Sequence, residues 1–217
     1  RQPSARPPSA GRRAVDGTVI VPVGEHALRV NVVPERRVVR PGDLLRMVVR
    51  TSNLAGEPVA AQGRLAFEKL VWDDSKKEDA CTTVATTSLT ISEAGESAAE
   101  WRVPEDFHGR LRVVFLTDDP FGGLASGWVI VNVATADTQD LGVHYQGVQL
   151  IFDKETYEIG DTARVLVLSE YPNASAWFWI DCGNGIIDSR LLALRYRTNL
   201  VEVPITESFV PNVRAGV

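Results

Sequence analysis

The sequence predicts an all-β protein built from two consecutive antiparallel β-sandwiches. From residue 17 onward, apolar residues recur at every second position in short, regularly spaced runs. This is the period of half-buried strands, and no convincing 3.6-residue period lies between the runs. In addition, one local pattern occurs twice along the chain, which indicates two similar units.

The first set of runs contains about seven strands, as expected for one sandwich. Thr82–Ile91 is typical of them, because its β-branched Thr and Val side chains fit a pleated surface better than a helix. Thr117–Gly123 contains Asp, Pro and Gly and predicts a β-hairpin turn. The predicted strands are Leu28–Val32, Leu44–Arg50, Arg64–Trp72, Thr82–Ile91, Trp101–Val103, Leu111–Leu116 and Trp128–Val133.

The second set begins after Gly147 and contains six candidate strands. Within it, Leu191–Leu194 has the composition of a helical turn but is too short to form a helix alone. The predicted strands are Val148–Phe152, Ala163–Leu168, Ala176–Cys182, Ile186–Leu194, Leu200–Ile205 and Val210–Val217.

The composition is that of an ordinary globular protein. The 217 residues are 44% hydrophobic and 24% charged, which excludes collagen, a coiled coil and disorder of the whole chain. The net charge of −5 argues against a nucleic-acid partner. Two cysteines are too few for a disulfide framework or a four-ligand zinc site. No apolar run is long enough for a direct membrane span.

Three segments are expected along the chain. Residues 1–16 are predicted to be a disordered linker, because the first 13 positions hold four Arg and three Pro but no acidic or large apolar residue. A basic tail that binds an anionic partner is the less favoured alternative. Residues 17–135 form the first predicted sandwich and residues 141–217 the second, which stops one strand short at its C-terminal end. The start at Arg1 indicates a piece of a longer protein.

The repeated pattern is a Gly-Asp turn that enters a strand. Gly42-Asp43 lies in Val-Arg-Pro-Gly-Asp-Leu-Leu-Arg, and Gly160-Asp161 lies in Tyr-Glu-Ile-Gly-Asp-Thr-Ala-Arg. Glycine can adopt the positive φ that such a turn needs, and the aspartate can accept hydrogen bonds from nearby amides. We predict tandem units of similar fold. The alternative is two unrelated sandwiches that share a common turn.

These residues resemble a known family. Tyr157–Val167, followed by Val201–Val213 with its Val-Glu-Val-Pro-Ile and Pro-Asn-Val segments, resembles a module of the bacterial α2-macroglobulin family. The first half is similar through Arg40–Asp43, Ala55–Val59 and the Thr117-Asp118 hairpin. The resemblance covers roughly residues 28–217. The chain departs from the family at Ile159, where Pro is usual, and at the Cys182–Gly185 turn.

The resemblance implies tandem immunoglobulin-like, macroglobulin-type modules that lie upstream of and enter the bait-region domain of a protease-trapping inhibitor. They are expected to be non-catalytic scaffold with no cofactor. The implied partners are proteases, through the parent protein, and neighbouring macroglobulin modules. The implied location is periplasmic or extracellular, and lipid anchoring through the parent is compatible with it. No thioester motif is present, because the third residue after Cys81 is Val84 and after Cys182 is Gly185.

The alternative function is that of an adhesion or carbohydrate-binding module in a large surface protein. Trp177 and Trp179 lie on one face of a predicted strand and could stack on a sugar ring if they are exposed. We favour the reading in which both pack in the core or between modules.

The remaining candidate residues carry weak signals, so we expect no enzyme activity and no catalytic, cofactor-binding or metal-binding residue. His26, His108 and His144 lack metal-ligand spacing. Asp73-Asp74 and Asp118-Asp119 could supply oxygen ligands to Ca²⁺ but are favoured as solvated turn residues. Cys81 and Cys182 allow, but do not predict, a disulfide between modules. Asn173-Ala174-Ser175 is a glycosylation sequon that matters only in a secreted eukaryotic protein.

Overall fold

The fold is described by a computed structural model that covers residues 24–143 and 146–217. These residues contain fourteen β-strands and one short 3₁₀ turn, so the predicted all-β class is confirmed. The N-terminal half consists of β1 (Leu28–Pro34), β2 (Val38–Val39), β3 (Leu44–Asn53), β4 (Ala61–Asp73), β5 (Glu78–Ile91), β6 (Glu96–Arg102), β7 (Gly109–Asp118) and β8 (Leu124–Val133). The C-terminal half consists of β9 (Val148–Phe152), β10 (Thr162–Ser169), β11 (Ala174–Asp181), β12 (Ile186–Leu194), β13 (Thr198–Pro204) and β14 (Arg214–Gly216). The predicted linker over residues 1–16 and His144 lie outside the described residues.

The N-terminal half is a sandwich of two sheets. One sheet has the strand order β1-β3-β6 and the other β2-β8-β7-β4-β5, with antiparallel pairing except between β2 and β8. Their inner faces share one core, in which the rings of Phe67 and Trp101 stack 4.3 Å apart. The buried residues of this core include Val32, Leu45, Met47, Val49, Leu65, Phe67, Leu111, Val113, Phe115 and Val131.

The C-terminal half repeats this arrangement with fewer strands. Its sheets have the orders β9-β10-β13 and β14-β11-β12, all antiparallel. Strands β9, β10 and β13 therefore occupy the places of β1, β3 and β6, while β14, β11 and β12 occupy those of β7, β4 and β5. The core between the two sheets contains Ala163, Val165, Phe178, Ile180 and Val203. Among the described residues, no strand takes the place of β2 or β8.

Most strands lie where the sequence predicts them, and the differences have local causes. Strand β6 begins at Glu96 rather than Trp101, because its alternating small and charged residues give little hydrophobic signal. The candidate strand Val210–Val217 is reduced to β14. Pro211 cannot donate to a strand ladder, and a 3₁₀ turn, Glu207–Phe209, precedes it. Leu191–Leu194 belongs to β12 and pairs with β11, so it forms no helical turn.

No helix within residues 24–143 and 146–217 is long and apolar enough to cross a membrane.

Candidate functional site at the joint between the two halves

The two Gly-Asp turns have the same backbone geometry. Gly42 and Gly160 have φ values of +80° and +95°. The amide of Gly42 donates to the Val103 carbonyl (3.0 Å), and the amide of Val103 donates to the Asp43 carbonyl (3.0 Å). The second turn repeats both bonds, from Gly160 to Ile205 (2.9 Å) and from Ile205 to Asp161 (2.8 Å). The sequence repeat therefore corresponds to a structural repeat in which each turn is tied to the end of the adjacent strand.

The positive φ at Gly160 yields a stability prediction. We expect Gly160→Val to destabilise the protein by about 1–3 kcal/mol, because a β-branched residue is strained at this backbone conformation. The added side chain would meet open space, so the loss would come from the backbone alone. Gly160→Asn should cost less, since asparagine tolerates the left-handed region. Chemical denaturation checks this, and equal stability of the Val variant and the wild type would contradict it.

Strand β10 is buried on both faces. One face packs in the core of its own half, and the other packs in the contact region between the two halves, which we call the joint. Ala163 and Val165 point into the core of the C-terminal half. Leu166 and Leu168 belong instead to a separate buried cluster that contains residues from both halves. The members of this cluster are Val38, Ala134, Leu141, Leu166 and Leu168. An apolar core therefore joins the two sandwiches directly.

Backbone hydrogen bonds cross the same joint. The amide of Asn132 on β8 donates to the Arg37 carbonyl (2.8 Å), and the amide of Arg37 donates to the Asp153 carbonyl (2.6 Å). The segment that connects the halves is also held, because the amide of Thr198 donates to the Gln139 carbonyl (3.0 Å). The Thr198 hydroxyl accepts a bond from the amide of Leu141 (3.2 Å). The connection is therefore attached to β13 and does not act as a free linker.

Ion pairs surround the apolar contact. Three arginines that flank β2 face acidic residues of the C-terminal half. In a fourth pair, the arginine belongs to the C-terminal half and the aspartate to the N-terminal half. The distances are 3.5 Å for Arg36–Asp153, 2.8 Å for Arg37–Glu155, 3.1 Å for Arg40–Glu202 and 3.6 Å for Arg164–Asp43. Glu155 and Glu202 are exposed, so their pairs contribute less than 1 kcal/mol each. The Arg36–Asp153 pair differs, because the Asp153 side chain is fully buried.

Asp153 is the polar centre of the joint. Its Oδ1 accepts hydrogen bonds from the Arg164 amide (2.8 Å) and the Tyr157 hydroxyl (2.8 Å). Its Oδ2 accepts from Arg36 Nη1 (3.5 Å), which lies in the other half. Burial raises the pKa of the Tyr157 hydroxyl well above its ordinary value, and the bond to Asp153 raises it further. Tyr157 therefore stays a neutral donor to the carboxylate at physiological pH.

Asp161 gives the second repeated turn a dependence on pH. The hydrogen bond from Lys154 Nζ (2.9 Å) is the largest cause that lowers its pKa, and the Glu158 amide lowers it as well. A carboxylate with a lowered pKa contributes stability above its unfolded-state pKa, and this stability is lost as the pH falls through the folded-state pKa.

We therefore expect melting temperatures to fall as the pH decreases below about 4. The variant Asp161→Asn should be less stable at neutral pH and should lose less stability on acidification. Thermal melts between neutral pH and pH 3 measure how the melting temperature of each protein changes with pH. The exposed Asp106 provides the control variant Asp106→Asn, which should follow the wild type. Parallel wild-type and Asp161→Asn curves would contradict the assignment.

The pairs Asp73-Asp74 and Asp118-Asp119 act as turn residues, but one of these four aspartates is not exposed to solvent as expected. Asp73 Oδ1 accepts bonds from Ser75 and Lys76, and the Ser75 hydroxyl is the largest cause that lowers the Asp73 pKa. Asp119 is buried, which corrects the expectation of a solvated residue. Its carboxylate accepts from the amides of Ala27 and Leu28 (3.1 Å each), so it attaches the start of β1 to the β7–β8 hairpin.

Trp177 packs neither in the core nor between the two described halves, so only packing against a further module stays a prediction for it. The two indoles do share a face, but Phe178 and Ile180 on the opposite face fill the core. Trp177 is 54% exposed and lies opposite Leu191 of β12, which is 73% exposed. Trp179 is half-buried, and Gly216 of β14 pairs with it. Both faces of β11 are apolar, so the alternation could not tell which one is buried.

The other candidate residues do not converge. His26 and His108 are exposed at separate positions. Cys81 and Cys182 are both free thiols. Asn173 is exposed in the turn before β11. Within the described ranges, no group of three or more His, Cys, Asp or Glu side chains could hold a metal ion.

Beside the joint lies a cleft of about 290 Å³ lined by three apolar residues and five charged ones, and the charged side chains pair with one another or with adjacent residues. Glu35 lies 3.7 Å from Arg46, which also pairs with Glu100 (2.9 Å). Sequence reasoning missed this joint, although the uninterrupted apolar run Val165–Leu168 is a signal for a strand buried on both faces.

Comparisons with known proteins give only distant similarity. No family model and no curated protein matches the chain. Among solved structures, it is similar to Salmonella α2-macroglobulin reacted with methylamine (13% identity, TM-score 0.34), covering 84% of this chain and 12% of the other. Escherichia coli α2-macroglobulin activated by porcine elastase gives 14% identity and a TM-score of 0.38, over 85% and 19% of the two chains. The sporulation control protein Spo0M from Bacillus subtilis gives 15% identity and a TM-score of 0.36, covering 86% of this chain and 92% of the other. Bacterial α2-macroglobulins are thus among its structural neighbours, at low identity and with TM-scores below 0.5.

Proposed function

We propose that this chain is a non-catalytic, two-module scaffold of a macroglobulin-like protease-trapping inhibitor that acts in the periplasm or outside the cell. The observation that carries the proposal is the joint, in which an apolar cluster, backbone hydrogen bonds and the buried Asp153 link the two halves. A trap must turn one cleavage event into a movement of the whole molecule, and this requires modules that move as a unit.

The sequence resemblance supports the same proposal. Tyr157–Val167 and Val201–Val213 resemble the family pattern. The first segment contains the second repeated turn and most of β10, and the second contains the end of β13 and Ile205, which bonds to that turn. In this proposal, the proteases contact other parts of the parent protein. Neighbouring macroglobulin modules are the direct partners of this chain.

The test uses the full-length protein that contains this chain. The protein is incubated with an endopeptidase, and residual activity is measured on a large protein substrate and on a small peptide substrate. A trap should block the large substrate and spare the small one, whereas an inhibitor of the active site blocks both. The variant Asp153→Ala should weaken the block, and Asp106→Asn should leave it unchanged. Unchanged cleavage of the large substrate by the wild-type mixture would overturn the proposal.

The exposed face of β11 favours one alternative function, an adhesion or carbohydrate-binding module. Trp177 and Leu191 present an open apolar surface on which a sugar ring could stack. Titration with sugars, followed by tryptophan fluorescence, tests this alternative. A saturable change that is abolished by Trp177→Ala and kept in Trp128→Ala would favour it, because Trp128 is a comparably exposed (58%) indole on β8.

A further inference from the structure

The turn between β11 and β12 contains the one Asn-Gly pair of the sequence, Asn184-Gly185. Both residues of the pair are exposed. The side-chain hydrogen bonds of this turn come from Asp181 and Cys182, and none of those among the described residues holds the Asn184 carboxamide. The carboxamide is therefore free to approach the backbone nitrogen of the next residue.

Asp181 holds the two glycine amides of the turn. Its Oδ1 accepts hydrogen bonds from the amides of Gly183 (2.6 Å) and Gly185 (3.3 Å). The Gly185 N–H therefore points at a carboxylate oxygen, which is placed to take its proton. Because glycine has no Cβ, no side chain shields the Gly185 nitrogen on its own residue. The turn thus brings together a nucleophile, a base and a carboxamide.

We propose that Asn184 is a site of spontaneous deamidation, with the backbone nitrogen of Gly185 as the nucleophile and Asp181 as the base. The nitrogen forms a bond to Asn184 Cγ while its proton passes to Asp181. The bond from Cγ to Nδ2 then breaks, and the leaving group takes that proton and departs as ammonia. Both reacting groups belong to neighbouring residues, so the reaction is intramolecular.

The product of this step is a five-membered succinimide ring, which water opens. Addition of water at the former side-chain carbonyl gives aspartate at position 184, and addition at the backbone carbonyl gives isoaspartate. No oxidant, reductant or cofactor takes part. The chemical class of the co-reactant is therefore water alone.

The modification changes the turn that it occurs in. Either product adds a negative charge close to Asp181. Isoaspartate also adds one carbon to the main chain between Asp181 and Ile186, which pair across the hairpin. The longer connection should break the bond from the Cys182 amide to the Gly185 carbonyl (3.4 Å). None of these residues belongs to the joint, so the inference goes beyond the proposed function.

The first test incubates the folded protein at neutral and mildly alkaline pH and follows residue 184 by peptide mapping with mass spectrometry. The peptide that contains Asn184 should change from amide to acid, with aspartate and isoaspartate as separate chromatographic peaks. Ion-exchange chromatography of the intact protein should show one added negative charge. Asn173 is the internal reference, because it is exposed in a turn but is followed by Ala174, and it should stay an amide.

Two glycine variants separate the nucleophile from the shape of the turn. Gly185→Ala should slow deamidation by at least roughly tenfold, because its Cβ crowds the attacking nitrogen. Gly183→Ala is the matched control. Gly183 also has a positive φ (+92°, against +133° for Gly185), and at both positions an added Cβ would meet open space. It strains the same turn and should keep the wild-type rate.

A second pair of variants tests the base. Asp181→Asn should slow deamidation of Asn184 by roughly tenfold, because a carboxamide accepts the same hydrogen bonds but does not take the proton. Asp188→Asn removes a carboxylate from β12 that accepts no bond from the turn amides, and it should keep the wild-type rate.

Two results would overturn the site itself. One is an Asn184 that stays an amide for as long as Asn173 does. The other is equal deamidation of Gly185→Ala and the wild type, because the Gly185 nitrogen would then not control the reaction. An unchanged rate in Asp181→Asn would overturn the assignment of the base. Thermal melts show whether each variant is folded, so that rates are compared only between folded proteins.

Discussion

Replacement of Asp153 by alanine should lower the free energy of unfolding by about 3 kcal/mol. The carboxylate is fully buried and accepts bonds from the Arg164 amide, the Tyr157 hydroxyl and Arg36. Alanine removes all three acceptor contacts at once. The Arg36 guanidinium also loses its link to the C-terminal half, so the joint should loosen together with the loss of stability. Urea denaturation measures the first effect.

Two further variants separate the contributions of the individual hydrogen bonds to the stability loss expected for Asp153→Ala. Asp153→Asn keeps one oxygen acceptor and should cost less than the alanine variant. Tyr157→Phe removes the hydroxyl that donates to Asp153 and accepts from the Lys154 amide (3.0 Å). It leaves the carboxylate paired with Arg36, so it should cost about 1–2 kcal/mol. If all three variants were as stable as the wild type, Asp153 would not be the polar centre of the joint.

The second large effect is expected at Leu166. Leu166→Ala should destabilise the protein by about 2–4 kcal/mol, because the side chain is fully buried between the two halves and its removal leaves a cavity. The same change should expose the connection over residues 134–143, which packs against Leu166 and Leu168 through Ala134 and Leu141. Limited proteolysis should therefore cut this connection faster in the variant.

The matched control for this prediction is Phe178→Ala. Phe178 is equally buried but lies in the core of the C-terminal half, away from the joint. The substitution Phe178→Ala should lower the free energy of unfolding by about 3–5 kcal/mol without selectively exposing the connection over residues 134–143. Equal rates of cleavage at residues 134–143 in Leu166→Ala and the wild type, under conditions where both are folded, would contradict the role of Leu166 in the joint.

The regular parts of this fold could be predicted from local pattern. Strands such as β9 and β12 begin and end where their apolar residues do, and the two Gly-Asp turns have the positive φ that glycine at that position indicates. These features depend on neighbours in sequence, so the sequence contains their signal.

The joint depends on residues that are far apart in the chain, so its signal in the sequence is weaker than that of the strands and turns. Arg36, Arg37 and Arg40 have the composition of an ordinary solvated turn, and their partners lie more than a hundred residues away. The burial of Asp119 has no local signal for the same reason, because two of the amides that donate to its carboxylate belong to Ala27 and Leu28, at the start of β1. The one local signal for a second buried face on β10 is the apolar run Val165–Leu168, where strict alternation stops.

The backbone hydrogen bonds at the joint have a mechanical consequence. The amides of Asn132, Arg37 and Asp153 donate in turn to the carbonyls of Arg37, Asp153 and Arg164. This row of peptide groups runs from β8 of one half to β10 of the other without passing through a side chain. A torque applied to the N-terminal sandwich is therefore carried by main-chain atoms, which have far less freedom than paired side chains. In the proposed scaffold, we therefore expect the two halves to rotate together, so that a small rotation at one end gives a larger displacement at the other.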